Sequence, residues 1–147
     1  MTIRVATDAD GAAIGTLFAK AGHPDFGVDW TTAKVGGWWL VADAADGTLA
    51  GAVLAVSAQP FGYVGELIVQ PAWRGRDGDG GGHLTGRLGH VAYDLLVTAF
   101  VVLRSAGSQM VVGLIGEGDD VKPLQAIYER HGALDLGTFR MMGRRLT

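Results

Sequence analysis

The sequence contains no cysteine and only four prolines among its 147 residues. Without cysteine the chain can form no disulfide, no zinc site built from thiolates and no cysteine nucleophile. Aromatic residues make up 8% and charged residues 18% of the chain, whereas 48% of the residues are apolar. This composition is typical of a globular protein, and the length predicts a single domain over residues 1–147.

Charge and hydropathy exclude further classes. The formal net charge of -3 gives no reason to expect a nucleic-acid surface, and no HExxH or clustered His/Asp pattern predicts a metal site. The most apolar run, Leu95–Leu103, is far shorter than the ~20 residues of a membrane-crossing helix, so no membrane partner is expected. We interpret this run as a buried helix end or as the surface of a possible homodimer. The first residues show no secretory signal, which predicts a cytoplasmic location.

Apolar periodicity predicts strands and helices that alternate in one α/β domain. The predicted strands are Ile3–Ala6, Trp38–Asp43, Leu49–Ser57, Tyr63–Val69, Gln109–Ile115 and Thr138–Leu146. The Asp46-Gly47 pair predicts the turn of a hairpin between the second and third of these strands.

Three helices are predicted by apolar positions at helical spacing. We expect Asp8 to cap the first helix, whose buried face carries Ala12, Ile14, Leu17 and Phe18. A long helix then runs from about Leu84 to a point before Gly107. A last helix over Val121–His131 ends at Gly132, which is the usual residue type at a helix stop.

The most informative stretch lies where a strand ending at Pro71 leads into a glycine-rich loop and then a helix. Arg74 and Arg76 open this loop, and its glycines are Gly75, Gly78, Gly80, Gly81 and Gly82. Glycine lets successive backbone N–H groups turn toward one concavity, and a helix start adds further unpaired N–H groups. The pattern therefore predicts a site for a pyrophosphate-bearing ligand. It does not match the P-loop pattern or the dinucleotide GxGxxG pattern.

Three stretches of the chain resemble the GNAT N-acetyltransferases, and together they cover most of it. They are IRVATDADGAAIGTLF, ELIVQPAWRGRDGDGGGHL and LQAIYERHGALDLG. The second matches the family's L-x-V-x-P-x-x-R-G pattern, and the third matches its Y-E-x-x-G helix through Tyr128, Glu129 and Gly132. Gly78 and Gly80 fit the family's glycine pattern with a one-residue insertion that brings Asp77 into the loop. The resemblance implies a mixed, mostly antiparallel central sheet flanked by helices.

The resemblance also implies acetyl-CoA as the co-substrate and an amine as the acceptor. By resemblance, backbone N–H groups of Leu67, Ile68 and Val69 face the pantetheine and the thioester oxygen. The pyrophosphate then binds to the loop residues Arg74, Gly75, Arg76, Gly78, Gly80, Gly81 and Gly82. Tyr128 stands where the family often places the acid that protonates the thiolate, and Glu66 where a base often lies.

Alternative interpretations of these residues remain open at this point. Tyr128 lies at helical spacing with apolar residues, which is also the pattern of a packed core aromatic. Strand alternation puts Glu66 on one face with Val64 and Ile68, so its carboxylate lies either in a cleft or at a solvent-exposed strand end. The acceptor is expected to meet Asp25, Asp29 and Trp30, which suit a cationic amine. A catalytically silent acyl-CoA-binding module and a dimeric interaction protein are the alternative functions.

Overall fold

The computed structural model describes residues 1–20, 37–74, 90–113 and 122–137. Within these ranges five strands form one sheet in chain order: β1 (Thr2–Val5), β2 (Gly37–Asp43), β3 (Leu49–Ala58), β4 (Phe61–Val69) and β5 (Met110–Gly113). The first three neighbouring pairs are antiparallel, and β4 pairs with β5 in parallel. The sheet is therefore mixed and mostly antiparallel, which confirms the predicted architecture.

Three helices flank this sheet: α1 (Gly11–Lys20), α2 (His90–Ser105) and α3 (Lys122–Arg130). Helices α2 and α3 cover one face, where Leu40, Val53, Leu95 and Ile127 belong to the larger core cluster. Helix α1 covers the other face, where Ile14, Leu17 and Trp39 belong to a smaller cluster. Alternation along β2 produces this division, because Trp39 and Leu40 are neighbours whose side chains lie in different clusters.

Helix α2 packs close to the strands because two of the strand positions are glycine. A Cβ atom on Gly51 would lie 2.7 Å from the Ile68 carbonyl oxygen and 3.1 Å from a Leu95 methyl carbon. On Gly62 it would lie 3.1 Å from a Leu103 methyl carbon. The 2.7 Å approach is closer than a real Cβ atom tolerates, and the two 3.1 Å approaches to α2 are tighter than most, so glycine at both positions lets the helix pack close to the sheet.

The predicted elements agree with the described ones to within about three residues at their ends. The hairpin turn is confirmed: Gly47 has a positive φ of 80°, and the Asp46 carboxylate accepts a hydrogen bond from the Thr48 backbone N–H at 3.0 Å. Gly132 follows α3 with a φ of 84°, as its role as a helix stop predicts. The predicted strand over 138–146 and the predicted first turns of the long helix lie outside the described residues.

Two details of the first helix were predicted wrongly. Asp8 does not cap it: Asp8 lies in a 3-10 turn, and Thr7 is the capping residue, with its N–H and hydroxyl bonded to the Asp10 carboxylate. Ala12 is exposed, whereas Ile14 and Leu17 are buried. A methyl group adds too little apolar area to determine how a helix rotates on its sheet.

The apolar run 95–103 forms part of α2 and is mostly buried in the protein's own core. Leu95, Leu96, Ala99 and Leu103 are fully buried, and Val101 is the large residue of this run that stays exposed. The interpretation as a buried helix segment is therefore the correct one for these four residues. In the described part of the chain, no helix is both long and apolar enough to cross a membrane.

Candidate functional site

Strand β4 carries a β-bulge at Glu66. Between Ala52 and Leu54 of β3 the partner strand advances three residues, from Ile68 to Gly65, so β4 holds one extra residue. Glu66 adopts a φ of 52°, in the left-handed region that non-glycine residues occupy at a cost of about 1–3 kcal/mol. Such strain persists where the surrounding structure holds it, and bulges of this kind re-aim a side chain. Glu66 is thus a place where local geometry departs from a regular strand.

The bulge overturns the single face that alternation predicts for Val64, Glu66 and Ile68 together. Without it, Val64, Glu66 and Ile68 would share one face of the sheet. Instead Val64 lies in the core under α2, whereas Ile68 lies in the cluster under α1. The extra residue shifts the alternation by one, so residues on either side of Glu66 switch faces.

Tyr128 lies on α3, and its side chain extends from the core toward β5. Its ring packs edge-on against Phe100, with the ring centres 5.7 Å apart. Its hydroxyl lies over Gly113: a methyl group there would overlap the Tyr128 hydroxyl, so only glycine leaves room for it. Burial, and next the proximity of Tyr63, raise the pKa of Tyr128 to about 12. The phenol therefore stays protonated at any ordinary working pH.

Tyr63 is a residue of this site that the sequence interpretation missed. Its ring lies across Gly65, where a methyl group would overlap the hydroxyl end of the ring. Burial, and next the charge of Glu66, raise the pKa of Tyr63. The Tyr-x-Gly spacing is a signal that could have indicated it, because residues two apart on a strand share a face and glycine lets a ring lie flat.

The two tyrosines meet at the end of the described β4–β5 pairing. The last described pair is Val64 with Gly113, so the Tyr128 hydroxyl lies over one member of this pair. Tyr63 and Gly65 flank the other member along β4. Consecutive strand residues point to opposite faces, so Tyr63 approaches this pair from the face opposite to Tyr128.

This arrangement supplies one hydrogen-bond acceptor and two neutral donors. Glu66 provides a carboxylate, which can take a proton, and each phenol can donate a hydrogen bond. In the described part of the chain, no hydrogen bond within the protein engages these three side chains, so their polar atoms are available to a ligand. The structure thus brings the predicted residues Glu66 and Tyr128 to one end of the β4–β5 pairing.

The end of β4 holds Arg74 in place. A 3-10 turn over Pro71–Trp73 follows the strand, and Arg74 Nε donates a hydrogen bond to the Val69 carbonyl at 2.8 Å. A guanidinium has five N–H donors, so this bond leaves four for an anion. The Val69 carbonyl therefore faces away from β3, and in an antiparallel strand the N–H of the same residue faces the same side. Ile68 instead pairs with Ala52 of β3.

The other predicted site residues lie outside the described ones. They are Gly75, Arg76, Gly78, Gly80, Gly81 and Gly82 in the loop, and Asp25, Asp29 and Trp30 in the predicted acceptor region. Among the residues that the structure describes, no group of three or more His, Asp and Glu side chains could hold a metal ion.

Solved structures of acetyltransferases match this chain over nearly its whole length. An aminoglycoside N-acetyltransferase in complex with CoA is 15% identical, with a TM-score of 0.68 over 99% of this chain and 100% of its own. A ribosomal-protein-alanine N-acetyltransferase from Brucella melitensis is 18% identical, with a TM-score of 0.67 over 97% and 98%. Glucosamine-6-phosphate N-acetyltransferase from Arabidopsis thaliana is 12% identical, with a TM-score of 0.68 over 97% of each chain.

No family sequence model matches the chain, and no curated protein sequence matches it either. The three structures named above nevertheless agree with this chain in shape, and each carries the name of an N-acetyltransferase. The chain therefore has the fold of the GNAT N-acetyltransferases, as the sequence resemblance implied.

Proposed function

We propose that this protein transfers an acetyl group from acetyl-CoA directly to a primary amine, with no covalent enzyme intermediate. The observation that carries the proposal is the strained bulge at Glu66, which lies next to the strand pair that Tyr128 covers. The site thereby combines a carboxylate and a neutral phenol. The names of the three matching enzymes supply support from outside the chain, because each describes an N-acetyltransferase.

Acetyl transfer to an ammonium ion requires two protons to leave the nitrogen and one to reach the sulfur. In our proposal Glu66 accepts a proton from the nitrogen, directly or through a water molecule. The free electron pair then attacks the thioester carbonyl carbon and forms a tetrahedral oxyanion. A carboxylate suits this role because its oxygens accept protons, and no hydrogen bond within the described residues occupies those of Glu66.

The oxyanion needs donors that are already oriented before the reaction. We assign this role to the backbone N–H groups of Leu67 and Val69. The bulge interrupts the regular pairing at Leu67, and the Val69 backbone faces away from β3. Both residues can therefore direct a backbone donor to a ligand instead of to a neighbouring strand.

Tyr128 is proposed to assist the departing sulfur. Its pKa of about 12 lies above the ~8.5 of an ordinary thiol, so the phenol remains protonated until negative charge develops on the sulfur. Its hydroxyl then passes a proton to the sulfur while it takes the second proton from the nitrogen, so the net transfer runs from nitrogen to sulfur and the phenol ends unchanged. Protonation of the leaving group prevents the thiolate from attacking the new amide.

The phosphates are proposed to bind where β4 ends. Arg74 is anchored through one N–H to Val69, which orients its remaining donors without removing its charge. Gly75, Arg76, Gly78, Gly80, Gly81 and Gly82 would complete the cradle with backbone N–H groups and a second cation. The acceptor is proposed to meet Asp25, Asp29 and Trp30. A cytoplasmic location and a homodimer likewise remain predictions from the sequence.

Titration calorimetry with acetyl-CoA tests the proposal, with CoA and ATP as competing ligands. We expect micromolar binding of acetyl-CoA by the intact protein and a loss of tenfold or more in the Arg74→Ala, Arg76→Ala double variant. Arg104→Ala is the matched control, because Arg104 is an exposed arginine near the end of α2 and should not alter binding.

The outcomes separate the possible functions. Binding together with acetylation of at least one amine in a screen supports the proposal. Binding without any turnover would support the silent acyl-CoA-binding module, and absence of binding by the intact protein would favour the interaction protein.

A further inference from the structure

Tyr63 has no role in the function proposed so far, yet it lies beside the carboxylate that carries it. Its ring lies across Gly65, the residue directly before the bulge, and the side chain is half-buried. The presence of glycine at 65 is what makes this position possible, because any side chain there would occupy the space of the ring. The Tyr63 ring therefore packs flat against the backbone of β4 at Gly65.

Glu66 follows immediately and turns out of the regular strand with its φ of 52°. Its charge acts on the Tyr63 phenol, since the carboxylate contributes to the raised pKa of that group. An electron-rich aromatic ring over Gly65 and a carboxylate on the next residue attract the same kind of ligand. A cation gains from the face of the ring and from the negative charge together, whereas an anion is repelled by both.

The position of Tyr63 relative to Tyr128 indicates which substrate it would meet. Tyr128 reaches the Val64–Gly113 pair from the face that α2 and α3 cover, and Tyr63 lies on the opposite face of β4. The leaving sulfur is assigned to Tyr128. A nucleophile that enters from the other side reaches the carbonyl carbon without competing with the departing thiolate for space.

We propose that Tyr63 determines acceptor specificity, and that its ring and the Glu66 carboxylate together bind the acceptor as a cationic ammonium ion. This inference rests on the proposed function for its place in the reaction. The binding of a small cation is a separate property, however, and can be measured without turnover. The ring contributes affinity through its face, so the hydroxyl group is dispensable for recognition.

Three variants test the role of the ring. Tyr63→Leu removes the aromatic face, Tyr63→Phe keeps it and removes only the hydroxyl, and Tyr93→Leu removes the ring of another half-buried tyrosine on α2. With any amine that the screen identifies, we expect Tyr63→Leu to raise the acceptor KM about fivefold or more. Tyr63→Phe should change it less than twofold, and neither variant should alter acetyl-CoA affinity.

A binding measurement keeps the inference testable if no amine is turned over. Tetramethylammonium chloride is the probe, because it carries the charge of an ammonium ion and has no N–H group that could be acetylated. It is titrated into the protein while the aromatic proton resonances are followed by nuclear magnetic resonance, and tert-butanol serves as a neutral molecule of similar shape. We expect saturable shifts with tetramethylammonium only, lost in Tyr63→Leu and retained in Tyr63→Phe and Tyr93→Leu.

Failure of the two proposals can be told apart. Cation binding that depends on Tyr63 in a protein without turnover would refute the enzyme and leave the cation site of Tyr63 and Glu66 intact. Turnover with an acceptor KM that is the same in Tyr63→Leu and the intact protein would refute the inference and leave the enzyme intact. Equal responses to tetramethylammonium and tert-butanol would also overturn it, since the site would then recognise shape without charge.

Discussion

Two polar clusters lie near opposite edges of the described sheet, and they differ in whether their polar side chains are hydrogen-bonded to one another. At the β1 edge, Arg4 binds two carboxylates with both ends of its guanidinium. Its Nε and Nη2 reach Asp43 at 2.7 and 3.0 Å, while Nη1 and Nη2 reach Asp10 at 2.8 and 2.9 Å. This cluster ties together β1, β2 and the turn that begins α1.

At the β4–β5 edge, the groups of the second cluster are near each other without such bonds. Tyr63 and Tyr128 carry neutral phenols and Glu66 carries a carboxylate, yet no hydrogen bond in the described residues joins these side chains. The strain at Glu66 costs stability. The comparison teaches that polar side chains whose hydrogen bonds are made within the protein stabilise the fold. Polar side chains without such bonds, next to strained backbone, are available for ligands and chemistry.

Replacement of Arg4 should produce the largest effect on stability. Arg4→Met removes the cation that compensates two carboxylates, one of which is buried, so we expect unfolding to become easier by about 2 kcal/mol. Arg4→Lys keeps the charge but has no planar guanidinium to bind both carboxylates, so its stability should lie between those of the intact protein and Arg4→Met. Urea unfolding followed by circular dichroism measures these differences.

The comparison predicts that Arg4→Met leaves catalysis alone. At a temperature where the variant is fully folded, its turnover should stay within about twofold of the intact protein. Arg104→Met, which replaces an exposed arginine of α2 in the same way, is the control. If Arg4→Met were as stable as this control, the Arg4 contacts would add nothing net to the free energy of unfolding. If turnover fell while stability was unchanged, Arg4 would have a catalytic role, which would contradict the comparison.

Tyr128→Phe should show the converse pattern. Loss of the phenol hydroxyl removes the hydrogen bond to the departing sulfur, so we expect kcat to fall tenfold or more, while acetyl-CoA affinity and unfolding free energy change little. The hydroxyl has no hydrogen bond within the described residues, which is why its removal should not weaken the fold. Steady-state kinetics and calorimetry give the two quantities.

Tyr93→Phe is the matched control for this prediction. Tyr93 lies on α2, and its ring centre is 6.3 Å from that of His131. Its hydroxyl has no part in the proposed reaction, so kcat should be unchanged. Equal losses of kcat and of acetyl-CoA affinity in Tyr128→Phe would instead identify Tyr128 as a packing residue, which is the alternative that its helical spacing left open.

The fold could be predicted from the sequence because its signals are local. Continuous apolar runs gave nearly correct bounds for β2 and β3, since both faces of those strands bury apolar side chains. The N-cap was missed although its signal is local: Thr7 and Asp10 form a capping box of the [ST]-x-x-[DE] pattern directly before the apolar run of α1. Asp10 also binds Arg4, so the same carboxylate that caps the helix joins it to β1.

The site could be predicted only in part, for a physical reason that lies in the bulge. Positive φ is expected at glycine, and Gly65 is available, yet Glu66 adopts it. Strand alternation therefore wrongly predicted that Val64, Glu66 and Ile68 share one face, although the proposed role of Glu66 came from the motif. Tyr63 was missed because its place depends on the space above Gly65, which only the backbone of the folded strand defines.

Acid unfolding should reveal the smallest difference, and it isolates one carboxylate of the first cluster. Arg4, and then the Thr7 donors, hold the pKa of Asp10 well below its usual value. Below about pH 4 the unfolded chain binds this proton and the native protein does not, so the contribution of Asp10 is present above that pH and is lost as the pH falls. Asp10→Asn should be less stable than the intact protein by about 1 kcal/mol at pH 7, and this gap should narrow between pH 4 and 2. Stability curves that stay parallel over that range would show that the Asp10 charge is not what joins α1 to the sheet.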